Sequence, residues 1–377
     1  MVDDAGKAPS NEPVRVDRRR IAVERSQGTQ RRQRMAFAII SLLLLAVAGI
    51  MVAGYVMIFV MPPQQLVVRV NDVEYTRGDM VKLLRLRQAT LESIGQTFKS
   101  SDDVFQALQL IVENEIISQS SAKLGLSVTR EELDDRIRGI MVPSADEALG
   151  KSEDQIQREF SEMYGQYLNA TQVTEDEHRT LVQRALLREK VRQLVGDSVP
   201  TIDEQVYLHR IVMHNQDEVD TMITNLTDAI GDDKSAANIR GIFKIVVREF
   251  SRDPDTVQSG GEVGWLPIGV DEDYERAFFD LEIGELSAPV PNIDNPQNLY
   301  FFMLSDRADS HPVSERNRDV LKTGALQVWL NEERVNHDVH AVFNSEIYGW
   351  ILNELRISTT VTPTAVPDSP FRGLPGF

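Results

Sequence analysis

The stretch from Ser251 to Trp265, SRDPDTVQSGGEVGW, has the composition in this sequence that best suits chemistry. Asp253 and Thr256 place a carboxylate and a hydroxyl close together in a segment rich in turn-forming residues. The glycines that follow let the backbone turn or approach a ligand closely, although they also serve as plain fold requirements. We expect one half of a site here, with Asp253 either a site residue or a cap of the turn at Pro254.

A histidine on a predicted strand supplies the other half. The segment Val206–Met213 (VYLHRIVM) predicts a strand that carries His209. A lone histidine on a strand is more often a buried structural residue, but the neighbouring motifs favour a site role. An amphipathic helix follows, with a separate short apolar element at Phe243–Phe250. The aromatic strand Tyr300–Leu304 closes an α+β unit of about 100 residues.

Several other kinds of site are excluded by the sequence. It contains no G-x-S-x-G nucleophile motif and no cysteine. Glu262 argues against a phosphate-binding loop at the glycines. His337 and His340, three residues apart in a predicted helix, lack a third metal ligand. We therefore predict neither a metal nor a cofactor, and the net charge of -18 argues against nucleic acid as a partner.

An uncharged apolar run of 27 residues, Met35–Met61, predicts one transmembrane helix at 35–61. A buried core helix and a cleaved signal peptide are the alternatives, and the length of the run disfavours both. Arginines at 31–34 place the N-terminus in the cytoplasm and the bulk of the chain outside the cell membrane. Residues 1–34 and 357–377 are predicted to be disordered tails.

The remaining segments are predicted to be mainly helical. Leu66–Tyr75 predicts a hairpin that turns at Asn71. Thr129 with Glu132, and Thr174 with Glu177, have the spacing of capping boxes that open helices. Residues 142–170 are less regular. Residues 313–356 are helical but too short for a core of their own, so we expect them to pack against the domain at 64–200.

Residues 203–308 resemble the parvulin family of peptidyl-prolyl isomerases, also called the rotamase family. The separated motifs that carry this resemblance occur in the family's order: His209–Val212, Phe250 with Ser251, Asp253, Gly260–Trp265, Ala277 with Phe278, Gly284–Ser287 and Asp306 with Arg307. The whole layout looks like that of the SurA/PrsA class of membrane-anchored, extracytoplasmic foldases.

The resemblance implies an α+β fold with a defined domain order. A helical SurA/PrsA-like chaperone domain at 64–200 would be closed by the C-terminal helical segment at 313–356. Between them, 203–308 would form a parvulin-like antiparallel sheet with flanking helices. The single transmembrane helix would precede all of these domains.

The resemblance also implies a site. The implied catalytic residues are His209, Asp253, Thr256 and Tyr300, and the implied substrate-binding residues are Val263, Leu266, Val270 and Tyr274. A carboxylate at Asp253 would hold the imidazole of His209 and raise its pKa. Tyr300 stands where the family usually has a second histidine, and Val270 and Tyr274 make the proline pocket shallower and more polar.

The implied function is isomerisation of X–Pro bonds in exported proteins by non-covalent twisting. The alternative is a membrane-anchored holdase chaperone with a weakly active or inactive parvulin domain, and a third possibility is a scaffold subunit of an envelope complex. The expected partners are unfolded or exported polypeptides that contain proline.

Overall fold

A computed structural model describes residues 18–93, 95–141, 151–214 and 216–359. The chain divides into two compact units, Met1–Leu66 with Thr76–Asp79, and Val67–Tyr75 with Met80–Phe377. The predicted tails at 1–34 and 357–377 lie partly outside the described residues, at 1–17 and 360–377.

The first unit contains a long helix, α1 (Arg18–Tyr55), followed by a π-helical turn at Val56–Val60. Its segment Phe37–Val60 has a mean hydropathy of 2.6 and the length to span a membrane. No part of that apolar window is buried among the described residues, which disfavours a core helix. The helix begins at Arg18, so a disordered tail is wrong for 18–34. Extending an existing helix avoids the cost of nucleation, and this segment has no proline.

Five helices follow in the region predicted to be helical. They are α2 (Arg77–Ser93), α3 (Ser100–Ser121), α4 (Arg130–Met141), α5 (Glu153–Thr171) and α6 (Glu175–Gly196). Both capping boxes are present: Thr129 and Glu132 exchange hydrogen bonds before α4, and Thr174 and Glu177 do so before α6. The irregular segment predicted at 142–170 is wrong from Glu153 onward, because Ser152 and Gln155 form a capping box that starts α5. Residues 142–150 lie outside the described residues.

A small sheet joins the two ends of this helical region. The hairpin β1 (Leu66–Val70) and β2 (Val73–Thr76) turns at Asn71, whose φ is 53°. Strand β7 (Val339–Ala341) pairs with β1 in an antiparallel manner and gives the order β2-β1-β7. His340 therefore lies on a strand and His337 at the end of a 3-10 turn, which corrects the helix predicted there.

The C-terminal helices complete the core of the helical domain. They are α10 (Glu315–Glu333) and α11 (Ser345–Thr359). Leu330 and Ile351 are almost inaccessible to solvent and share one apolar cluster with Val112, Ile116 and other residues of α2, α3 and α6. The C-terminal segment thus packs on the N-terminal domain, as the shortage of apolar surface in 313–356 predicts.

The second sheet has the strand order β4-β3-β6-β5 and is antiparallel throughout. Its strands are β3 (Ile202–Met213), β4 (Glu262–Pro267), β5 (Val290–Pro291) and β6 (Leu299–Pro312). Three helices accompany it: α7 (Val219–Ile230), α8 (Ala236–Phe250) and α9 (Glu275–Phe278). The apolar residues predicted as a separate element at Phe243–Phe250 belong to the longer helix α8.

Each face of this sheet has its own apolar cluster. Helices α7 and α8 cover one face, where Ile211, Phe243 and Met303 are buried. Helix α9 lies on the opposite face, where Phe278 and Phe302 are buried. The predicted α+β class with antiparallel sheets is confirmed, and about 60% of the described residues are helical.

A fully buried histidine, His178, lies where α5 packs on α6. Its Nδ1 is 3.0 Å from the hydroxyl of Tyr164, and its ring contacts the rings of Tyr164 and Tyr167 at centroid distances of 5.4 and 5.3 Å. Nε2 is buried without a hydrogen-bond partner among the described residues. Burial, and to a smaller extent the charge of Arg179, lower the pKa of His178 to about 4.

This histidine predicts a local loss of stability in acid. In the unfolded chain its pKa is about 6.5, so the unfolded state takes up a proton first as the pH falls. The contribution is complete above pH 6.5 and is lost between pH 6.5 and 4, by about 2 kcal/mol at pH 5. Hydrogen exchange of the α5 and α6 amides in residues 64–377, corrected for intrinsic rates, measures this loss. The His178→Phe variant should lack it.

The exposed His340 provides the matched control. His340→Gln should leave the acid response of α5 and α6 unchanged. Equal acid responses of the wild type and His178→Phe would contradict a neutral, buried His178.

Candidate functional site

Neighbouring residues of β3 face opposite sides of the sheet, and this separates His209 from Arg210. His209 faces α8, with its ring centroid 5.0 Å from that of Phe243. Arg210 faces the other side, where β3 is paired with Phe302 of β6. A sequence-predicted catalytic residue and its neighbour in the chain therefore lie in two different environments.

His209 is a neutral residue of the sheet–helix core. It is fully buried, and its Nε2 is 2.9 Å from the hydroxyl oxygen of Ser305, to which Arg240 donates at 3.3 Å. Nδ1 has no partner among the described residues. Burial and the charge of Arg240 lower the pKa of His209 to about 4. The prediction that Asp253 holds this imidazole and raises its pKa is wrong.

Asp253 instead binds Arg210. Its Oδ2 accepts hydrogen bonds from Nε of Arg210 at 2.9 Å, from Nη2 at 2.6 Å, and from the hydroxyl of Thr256 at 2.5 Å. The side chain is buried, which raises the pKa of Asp253, but the bonds from Thr256 and Arg210 outweigh burial and hold it below its ordinary value. The carboxylate is therefore ionised and is fixed by Arg210 and Thr256.

Hydrogen bonds join the loop after α8 to the end of β3, and they fix the position of Asp253. The hydroxyl of Ser251 accepts bonds from the amides of Val212 at 3.2 Å and Asp253 at 3.3 Å. The amide of Arg252 donates to the carbonyl of Val212 at 2.9 Å. Oδ1 of Asp253 accepts from the amide of Asp255 at 3.1 Å. Asp253 thus caps the turn, as one of its two interpretations predicted, and also pairs with Arg210.

Gly261 fixes the neighbouring backbone. Its φ is 81°, and an added Cβ would lie 2.7 Å from Val247, 2.8 Å from Phe243 and 2.9 Å from the carbonyl oxygen of Arg210. Its own carbonyl accepts the amide of Arg210 at 2.8 Å. Only glycine fits this close approach. The role of Gly261 is to hold the backbone on either side of the site.

Tyr300, which was predicted as a catalytic residue together with His209, lies beside Arg210 instead. The guanidinium carbon of Arg210 lies 5.0 Å from the centre of the Tyr300 ring. The Tyr300 hydroxyl accepts a bond from the side-chain amide of Asn292. Burial raises the pKa of Tyr300, so the phenol is protonated at neutral pH. The Tyr274 ring is 5.1 Å away, and its hydroxyl accepts the amide of Ile293 at 3.0 Å.

Three of the four predicted substrate-binding residues belong to the apolar cluster on the Arg210 face. Leu266 is buried there, while Val270 and Tyr274 are half-buried against it. Val263 is 36% exposed and is not part of the cluster. An apolar patch with aromatic walls therefore lies on the same sheet face as the Arg210–Asp253 pair.

Arg210 is the site residue that sequence reasoning missed. Its side chain is 18% exposed, and Nη2 is also 4.0 Å from a carboxylate oxygen of the exposed Asp255. Burial raises the pKa of Asp271, and the charge of Arg210 opposes that rise. The alternation of β3 carried a signal, since residues 208 and 210 share a face. The sequence-based prediction chose His209 instead, because histidine is the residue type more often found in catalytic sites.

The described residues offer a polar, non-covalent site. No group of three or more His, Asp or Glu side chains among them could hold a metal ion. The hydroxyl of Thr256 donates to Asp253, whose lowered pKa makes the carboxylate a weak base for activating a nucleophile. The arrangement presents a fixed cation, an aromatic ring and apolar surface to a bound chain.

Comparisons with known proteins match both halves of the chain. Residues 27–192 match the family described as a SurA-like N-terminal domain, and residues 212–297 match the PPIC-type PPIASE domain, or rotamase. The rotamase match includes Asp253 and Thr256 and stops short of Arg210 and Tyr300.

Individual relatives are distant. The foldase protein PrsA of Geobacillus kaustophilus is 23% identical over 187 residues, which cover 48% of this chain and 63% of that protein, less than two thirds of its length. The chaperone SurA of Alcanivorax borkumensis is 30% identical over 102 residues, which cover 24% of this chain and 22% of that protein. The crystal structure of PrsA from Streptococcus pneumoniae superposes with a TM-score of 0.32 and 16% identity, covering 76% of this chain and 91% of that one. The chain joins a SurA-like N-terminal domain to a PPIC-type rotamase domain and is homologous to PrsA foldases and SurA-like chaperones.

Proposed function

We propose that this protein is a peptidyl-prolyl cis–trans isomerase that assists the folding of exported proteins. The observation that carries the proposal is the meeting of an apolar, aromatic patch and a fixed polar cluster on one face of the second sheet. The match of residues 212–297 to the rotamase domain, which includes β4, β5 and helices α7 to α9, supports the same activity. The names of the PrsA relatives support a role as a foldase.

The reaction needs no covalent step. An X–Pro bond isomerises over a barrier of about 18–20 kcal/mol because twisting breaks amide resonance. The patch formed by Leu266, Val270 and Tyr274 would bury the proline ring, which stabilises the bound peptide by about 2 kcal/mol. Catalysis then requires contacts that are stronger with the twisted amide than with the planar one.

The proposal includes a location and a class of partner. Helix α1 would anchor the chain in the cell membrane, and Arg31, Arg32 and Arg34 would keep its N-terminus in the cytoplasm. The two sheets and their helices would then lie outside, where unfolded, proline-containing exported chains arrive. The SurA-like helical domain would hold such chains near the isomerase site.

A change of the pocket wall tests the site. In a protease-coupled assay of residues 64–377 with a proline tetrapeptide, Tyr274→Ala should lower kcat/KM by roughly 10-fold or more, because one wall of the proline pocket is lost. Tyr207→Ala is the matched control, since Tyr207 packs against Trp265 and Arg240 on the other side of the sheet. It should retain kcat/KM within about 3-fold. Equal losses in the two variants would contradict this location.

We expect that His209 is not needed for catalysis. Because its ring is buried on the α8 side, His209→Leu should keep kcat/KM within about 3-fold at pH 7.5 when the variant is folded. The same assay, with circular dichroism to verify folding, measures this. Loss of turnover in a folded His209→Leu protein would contradict this expectation and would indicate that the imidazole of His209 is catalytic.

A holdase is the second candidate, and the extent of the SurA-like match favours keeping it. A holdase suppresses the aggregation of an unfolded client whether or not X–Pro bonds turn over. If residues 64–377 suppress aggregation but give no isomerisation above the uncatalysed rate, the holdase replaces the isomerase. If the wild type catalyses isomerisation and Tyr274→Ala lowers its rate, the isomerase is supported.

A further inference from the structure

We propose that Arg210 is the catalytic group of this site, and that its guanidinium donates a hydrogen bond to the prolyl nitrogen as the amide twists. The inference rests on the proposed isomerase function and identifies the group that would perform it. In this arrangement Asp253, Thr256 and Tyr300 are positioning residues.

The hydrogen bonds of Arg210 leave one end of its fork available. Nε and Nη2 both donate to Oδ2 of Asp253, at 2.9 and 2.6 Å. Nη1 makes no hydrogen bond to any side chain or carbonyl of the part of the chain that the structure describes. The side chain is 18% exposed, and Nη1 is not one of the solvent-inaccessible polar atoms that lack a hydrogen bond, so this end of the guanidinium is accessible from solvent. A group held on one edge and open on the other is suited to contact a bound peptide.

The proline ring would lie beside this open end. Arg210 is paired across the sheet with Phe302, which belongs to the same apolar cluster as Val270 and Tyr274. The ring of Tyr300 lies against the guanidinium at 5.0 Å and contacts the ring of Tyr274 at 5.1 Å. A proline held on the aromatic surface therefore has its amide near the guanidinium.

The electronic change during rotation selects the nitrogen as the acceptor. In the planar amide the nitrogen lone pair is delocalised onto the carbonyl, so the nitrogen accepts no hydrogen bond. Twisting ends the delocalisation and returns the lone pair to nitrogen. A donor aimed at nitrogen therefore forms its bond only in the transition state, which accelerates the reaction. No bond to carbon is made or broken, and no proton is transferred.

The positioning residues keep the donor in place before the substrate arrives. Asp253 is 3% exposed and is fixed by Thr256 as well as by Arg210. A donor that is already oriented costs little reorganisation during the reaction.

The competing explanation is that Arg210 only neutralises a buried carboxylate. A structural ion pair would affect stability and leave turnover of the folded protein unchanged. The two explanations therefore differ in kcat measured on folded variants. A lysine at this position keeps the positive charge near Asp253 but loses the fork that leaves Nη1 free.

The experiment uses the full chain in detergent micelles and a proline tetrapeptide nitroanilide, of which the protease cleaves the trans form alone. Arg210→Lys should lower kcat by about 10- to 100-fold with KM changed by less than about 3-fold, the pattern of a lost transition-state bond. Asp253→Asn should lower kcat less, because the fork remains but is held loosely. Arg240→Lys, on the other side of the sheet, should change neither constant.

A double variant guards against misfolding. Arg210→Gln with Asp253→Asn leaves no buried unpaired charge, so it should fold, and its kcat should fall at least as far as that of Arg210→Lys. Wild-type kcat in folded Arg210→Lys or in the double variant would overturn the inference while leaving the isomerase intact. A rise in KM at unchanged kcat would also overturn it. No turnover by the wild type would refute the proposed function itself.

Discussion

The ion pair between Arg210 and Asp253 is the contact on which the candidate site depends. It joins the central strand of the second sheet to the loop that follows α8, through two hydrogen bonds to a single carboxylate oxygen. Asp253 is 3% exposed, so removing Arg210 alone would leave a buried charge and cost about 3–5 kcal/mol. The same pair sets the position of Thr256 and places a cation against the ring of Tyr300. The stability of the loop and the geometry of the site therefore depend on the same ion pair.

The pleat of β3 and of its neighbouring strands determines which side chains face the candidate site. Successive side chains alternate between two apolar clusters, one under α7 and α8 and one beside α9. The register of β3 with β4 shifts between Leu208 and His209, and that with β6 shifts between Tyr207 and Leu208. Gly261 accepts the backbone of Arg210 at this irregularity, where a Cβ would collide with Phe243. The geometry leaves His209 in the core and turns Arg210 toward the patch that contains Tyr274.

The sequence predicts the fold more fully than it predicts the site. Capping residues such as Thr174 and apolar periodicities are local signals, and the helices and strands that depend on them are where the sequence indicates. Helix α5 was missed although Ser152 and Gln155 have the capping-box spacing that marks its start. Asp253, Thr256 and Tyr300 were predicted through the family resemblance, and the structure brings them together around Arg210. Their partner Arg210 was not, because the prediction followed residue type to the neighbouring histidine, although the alternation of β3 places residues 208 and 210 on one face. A histidine chosen by residue type proved to be buried, and the arginine beside it forms the contacts.

The claim that X–Pro bonds turn over on the Arg210 face is tested most directly by NMR of a proline peptide with the full chain in micelles. Exchange spectroscopy measures the cis–trans rate of the peptide, while the side-chain resonances of Arg210, Tyr274 and His209 report where it binds. We expect a small fraction of protein to accelerate exchange, with shifts at Arg210 and Tyr274 and none at His209. Unchanged exchange, or shifts at His209 without shifts at Arg210, would contradict the account.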